Sequence, residues 1–182
     1  SALSSKTKAI IPVHMYGQMC DIRAIKKILP KNQTVHIIED CAHSFEAKLN
    51  GQRPGAHSSA AIFSFYATKN VTCGEGGAVI TNDSHLHERI TQSILHGMSV
   101  GASERFKTGE YRHWDVEHLD TKANLPDLLA CLLPNQIETV DSRLILREKI
   151  ANYYEDLLSE TKIRIPVKLK NITHSRHLFP IF

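Results

Sequence analysis

The chain has 182 residues, 42% apolar and 23% charged, with 22 Lys and Arg against 19 Asp and Glu. These figures exclude a disordered charged tail, a collagen-like repeat and a disulfide miniprotein. A formal charge of +3 gives no electrostatic case for nucleic acid or for an anionic membrane surface as partner.

In chain order, Lys8 to Val13 is a short apolar run that reads as a buried strand. Asp21 opens a helical pattern with Ile22, Ile25, Ile28 and Leu29 on one face, closed by Pro30. Val35-His36-Ile37-Ile38 is the next strand and runs into Glu39-Asp40. Ala60 to Phe65 is a third, and Gly77 to Thr81 a fourth. Asn82-Asp83-Ser84 starts a helix that carries Leu86, Ile90, Ile94 and Leu95. Alternating strands and helices predict an α/β layer with a mostly parallel sheet. From Leu125 to Glu160, Ile137, Val140, Leu144, Ile150 and Leu157 recur at helical spacing, which predicts one long helix or two joined ones. Ile163 to Pro166 reads as a crossing segment. A last strand is predicted to begin near His177 and is unfinished at Phe182, so the chain reads as truncated.

Cys20, Cys41, Cys73 and Cys131 form no CxxC pair and read as reduced thiols of a cytosolic protein. No run of 18 apolar residues predicts a membrane span. The start lacks both a signal-peptide pattern and an initiator Met, so the N-terminus reads as processed or cut. The 11 histidines show no convincing metal-ligand spacing.

Three places carry chemistry. Asp40 follows a continuous apolar strand and so falls at its carboxyl end, where open α/β sheets bind ligands. A turn or cap carboxylate is the plainer role for it. Lys69 follows Phe63 to Thr68. Such a lysine is ordinarily a surface group, but a partly desolvated one is a nucleophile that forms Schiff bases. Gly74-Glu75-Gly76-Gly77 reads as a tight turn into the fourth strand. No Gly-Lys-Ser/Thr follows it, so it is no phosphate loop of the Walker kind. His43, three residues after Asp40, is by itself a capping or buried histidine.

The order of these signals is more specific than any one of them. Glu39-Asp40-Cys41-Ala42-His43, Ala61-Ile62-Phe63-Ser64-Phe65-Tyr66-Ala67-Thr68-Lys69-Asn70 and Gly74-Glu75-Gly76-Gly77-Ala78-Val79-Ile80-Thr81 resemble the core of the pyridoxal-phosphate sugar aminotransferases of the DegT/StrS type. Pro12 to Gly17, Leu95 to Met98 and Lys122 to Asp127 match the same pattern in the same order. The resemblance runs from Lys8 to Phe182.

The resemblance implies the large domain of a three-layer, fold type I transferase with a mostly parallel sheet, truncated at both ends. Residues 1–124 would belong to the cofactor-binding domain, 125–164 to a connecting helical region, and 165–182 to the start of a small domain. Lys69 would form the Schiff base with pyridoxal 5'-phosphate and later shuttle a proton. Asp40 would face the pyridine nitrogen, His43 would lie near the phenolic oxygen, and Ser64 would donate to the phosphate. Lys122 and Asn124 would reach the phosphate of a neighbouring subunit, which implies a homodimer. The implied substrates are a 4-keto nucleotide sugar and glutamate, with 2-oxoglutarate as product.

Asp120, Thr121 and Ala123 depart from the Gly-Tyr and aromatic residues usual around the position of Lys122. Dehydratase members carry histidine in place of the lysine, and Lys69 argues against that branch. A member with another sugar specificity, or a remnant serving only as a folding or interaction module, is the alternative.

Overall fold

The computed structural model describes residues 2–99 and 113–182. The elements in chain order are β1 (Ala9–Ile10), α1 (Ile22–Lys27), β2 (His36–Asp40), β3 (Lys48–Leu49), β4 (Ala60–Ser64) and β5 (Gly77–Ile80). They continue with α2 (Ser84–Ser93), α3 (Asp127–Ala130), α4 (Pro134–Glu138), α5 (Val140–Leu158) and β6 (Ile172–Thr173). The backbone forms two units, Ser1–Ile80 with Asp127–Phe182, and Thr81–Pro126.

The first unit holds a four-stranded sheet in the order β1-β2-β4-β5. β1 and β2 pair in parallel, as do β2 and β4, whereas β4 and β5 pair antiparallel. The sheet is therefore mostly parallel, as expected, with one reversed edge. The reversal follows from Gly74 to Gly77, which turns the chain back without a crossover helix. A Cβ on Gly77 would stand 2.7 Å from the Phe63 carbonyl oxygen, so only glycine allows that approach of β5 to β4.

β2 alternates in burial, with Ile37 and Glu39 in the core and Ile38 and Asp40 half-buried on the other face. Ala60, Ala61, Phe65, Val71, Cys73, Val140, Leu144 and Ala151 fill the same core. Asp21 caps α1 by accepting the Ala24 amide at 2.9 Å. All four cysteines are free.

The expected helical region after Leu125 breaks at Pro134, which opens α4 and cannot continue α3. α5 runs for 19 residues and buries Val140, Leu144 and Ala151, while Ile150 and Leu157 are exposed. The strand expected near His177 does not form. The strand in that stretch is β6, five residues earlier, which pairs antiparallel with β3 through Leu49 and Ile172. The chain around His177 instead docks on the Met15–Gly17 turn: the Ser175 amide donates to the Gly17 oxygen at 2.9 Å and the His177 amide to the Tyr16 oxygen at 3.2 Å.

In the second unit, Asp83 caps α2 by accepting the His85 and Leu86 amides at 2.9 and 3.1 Å. Lys122 pairs with Leu95 in an isolated antiparallel bridge. No helix among the described residues is long and apolar enough to cross a membrane.

Candidate active site

β2 and β4 run parallel, so their carboxyl ends share one edge of the sheet. Asp40 closes β2, and Ser64 closes β4 two residues beyond Ile62, the register partner of Asp40. The Asp40 backbone is fixed on both sides: its amide donates to the Pro12 oxygen at 2.9 Å, and its oxygen accepts the His14 amide at 3.0 Å. Asp40 Oδ1 accepts the Ala42 amide at 3.0 Å. The carboxylate thus shapes the turn that leads to His43, and it stays half-buried at the strand end.

His43 Nδ1 accepts the Tyr16 amide at 3.3 Å. The ring stacks on Tyr16 with centroids 6.5 Å apart and planes 19° apart, and meets His177 in a tilted contact at 4.4 Å and 37°. Burial pulls the His43 pKa below its ordinary value, and the positive Lys69 adds to this while Asp40 opposes it. Lys69 is half-buried, and its amide closes a turn onto the Tyr66 oxygen at 2.9 Å. Ser64 Oγ accepts the Tyr66 amide at 3.3 Å.

The structure thus sets Asp40 and Ser64 at the ends of adjacent parallel strands, with His43 on the turn after Asp40 and Lys69 on the turn after Ser64. Lys122 and Asn124 belong to the second unit, where Lys122 is exposed and Asn124 half-buried.

A second layer was not read from the sequence. Asn70 Nδ2 donates to Glu46 Oε2 and to the Ser175 oxygen, both at 3.1 Å, and its Oδ1 lies 3.0 Å from His177 Nδ1. Glu46 is fully buried and paired with Arg147. In the sequence His177 reads only as the start of a strand, a pattern that names no partner.

On the core face of β2, Glu39 is 1% exposed. Burial pushes its carboxyl up, but hydrogen bonds from His14, Ser58 and the Gly55 amide outweigh this and hold it below its ordinary value. His14 Nε2 lies 2.7 Å from Glu39, and His14 Nδ1 accepts the Cys20 amide at 3.0 Å. Among the described residues, His14, Glu39 and Cys41 are the group close enough to hold a metal ion. Both nitrogens of His14 are already committed to hydrogen bonds, which suits a satisfied core histidine better than a ligand.

Comparison with known proteins assigns the architecture. The chain belongs to the DegT/DnrJ/EryC1/StrS aminotransferase family, whose sequence model matches residues 1–182. The spore coat polysaccharide biosynthesis protein SpsC of Bacillus subtilis is 34% identical over 184 residues, which take in 100% of this chain and 46% of SpsC. Spr1654 of Streptococcus pneumoniae in its PMP-form is similar at a TM-score of 0.88 and 27% identity, covering 98% of this chain and 50% of that one. PseC of Helicobacter pylori, an aminotransferase involved in the biosynthesis of pseudoaminic acid, is similar at 0.88 and 26%, covering 99% and 46%. The α/β fold is that of the pyridoxal-phosphate-dependent aminotransferases. The chain spans about half the length of the curated relatives it matches.

Proposed function

We propose that this chain supplies the lysine-bearing half of a pyridoxal-phosphate-dependent sugar aminotransferase. The observation that carries the reading is that Asp40 and Ser64 close the parallel strands β2 and β4 at one edge of the sheet, with Lys69 half-buried five residues past Ser64. The donor set fits the cofactor: an amine for its aldehyde, a carboxylate for its ring nitrogen and a hydroxyl for its phosphate.

When bound, the cofactor supplies an aldehyde that takes up amines and a ring that withdraws electrons. Lys69 Nζ serves as the attachment point and as the base that moves a proton at the substrate carbon. Asp40 keeps a proton on the ring nitrogen through its negative charge. His43 packs beside the ring near the phenolic oxygen. Ser64 Oγ donates to the phosphate, joined by Lys122 and Asn124 of a neighbouring subunit in a homodimer.

The substrates in this reading are a 4-keto nucleotide sugar and glutamate, handled in the cytoplasm. Support for the sugar class comes from relatives named for polysaccharide and pseudoaminic acid biosynthesis. The narrower substrate is UDP-4-keto-arabinose, in lipid A modification. It rests on the wording of Asn70 to Gly77, His43, Asn124 to Asp127 and His177 to Phe179.

Borohydride reduction of the protein loaded with pyridoxal phosphate, followed by peptide mapping, tests the reading. The pyridoxyl label is expected on Lys69. A label on Lys48 or Lys122 would overturn it.

A further inference from the structure

The second layer behind His43 has a property that none of its residues has alone. Asn70 spends both protons of its Nδ2 on groups that only accept, the Glu46 carboxylate and the Ser175 carbonyl. Its amide is therefore oriented, and Oδ1 must face His177. A carbonyl-type oxygen 3.0 Å from His177 Nδ1 requires a proton on that nitrogen. Glu46, fully buried and paired with Arg147, anchors the other end of the chain.

His177 is also neutral, because burial pulls its pKa down to about 4, with His43, Lys69 and Arg147 adding to the effect. A neutral ring with its proton on Nδ1 has a bare lone pair on Nε2. His43 is the mirror case. Its Nδ1 accepts the Tyr16 amide, so its one proton sits on Nε2. The Tyr16 backbone ties the two residues together, giving its N–H to the His43 ring and its oxygen to the His177 backbone amide.

We propose that His177 is a positioning residue for His43, anchored through Asn70 and Glu46 to Arg147: it packs against the His43 ring and keeps it turned so that Nδ1 meets the Tyr16 amide, which leaves Nε2–H as its single donor. This rests on the cofactor reading above, in which His43 lies near a phenolic oxygen. At that place a fixed donor complements an oxygen that carries negative charge, and a freely rotating imidazole would offer donor and acceptor in turn. The contact is a tilted ring pair at 4.4 Å, so His177 acts on His43 through orientation.

The test is nitrogen NMR of the imidazoles in 15N-labelled, cofactor-free protein at neutral pH. The expected spectrum has His43 protonated on Nε2 alone and His177 on Nδ1 alone. His177 protonated on Nε2, or both rings in tautomer exchange, would overturn the proposal. In His177→Ala, and less strongly in His177→Phe, the His43 nitrogens should shift toward tautomer-averaged values. Pyridoxal phosphate should then bind about 2- to 10-fold more weakly, the loss expected for one hydrogen bond. Folded variants that lose thermal stability but leave the His43 nitrogens unchanged would show a merely structural role and sink the idea. If neither variant folds, the wild-type spectrum decides alone. The borohydride experiment keeps the two readings apart, since it depends on Lys69 and not on the tautomer of either ring.

Discussion

Gly17 and Ser175 meet so closely that a Cβ on Gly17 would stand 2.8 Å from the Ser175 Cβ, while the Ser175 amide donates to the Gly17 oxygen at 2.9 Å. Gly17 also has φ +106°, a conformation that a side chain resists. Gly17→Ala should therefore cost at least about 2 kcal/mol, from backbone strain and the collision together. Urea unfolding of the variant checks this. A change below about 0.5 kcal/mol, the range of ordinary surface substitutions, would mean that the two segments part without penalty.

Asp40 does two things that substitution can separate. Its Oδ1 holds the Ala42 amide, and its charge reaches His43. Asp40→Asn keeps an acceptor for the turn and removes the charge. On the proposed reading, both Asp40→Asn and Asp40→Ala are expected to slow amino transfer about a hundredfold, roughly 3 kcal/mol of barrier. Near-normal turnover in Asp40→Asn would reduce the residue to a turn carboxylate.

Two arginine pairs of similar appearance should differ widely. Arg147 neutralises Glu46, which is 0% exposed, whereas Arg53 and Asp141 are 41% and 63% exposed. Arg147→Met strands a buried charge and should cost about 3 kcal/mol or more. Arg53→Met should cost under about 1 kcal/mol. Denaturation midpoints of the two variants give the comparison, and equal losses would contradict the burial argument.

Stability should decline on mild acidification. Burial pulls His174 and His177 down to about 4, with Arg176 and Lys168 adding at His174 against Glu148. In the unfolded chain these rings titrate near 6.5, so below that pH the unfolded state binds more protons than the folded one. Their contribution is whole above pH 6.5 and is lost as pH falls toward about 4. Urea midpoints at several pH values in this range should fall, and His174→Gln should flatten the slope. Constant stability over the window would show that these imidazoles charge freely in the fold.

What could be read beforehand was local. Asp40 and Ser64 end strands whose apolar runs are visible in the sequence, and parallel pairing of β2 with β4 puts both ends on one edge. Lys69 follows within one turn of that edge. The second layer depends on pairs that no local pattern encodes, with His177 and Asn70 107 positions apart and Arg147 and Glu46 101 apart. The strand predicted near His177 failed for the same reason. That run is apolar enough for a strand, but its backbone finds partners in the Tyr16–Gly17 turn, and β3 lies instead beside Ile172–Thr173.

The alternation along β2 has a consequence for how the protein comes to place its acid correctly. Glu39 and Asp40 are neighbours with the same charge, and a ladder displaced by one residue would exchange them. Asp40 would then enter the core a methylene too short to span His14, Ser58 and Gly55, and its charge would lack partners in a dry interior. The His14–Glu39 clasp therefore works as a keyway. It admits one alignment of the strand and, by accepting the longer acid on the inner side, leaves the shorter one on the outer face, at the turn that leads to His43.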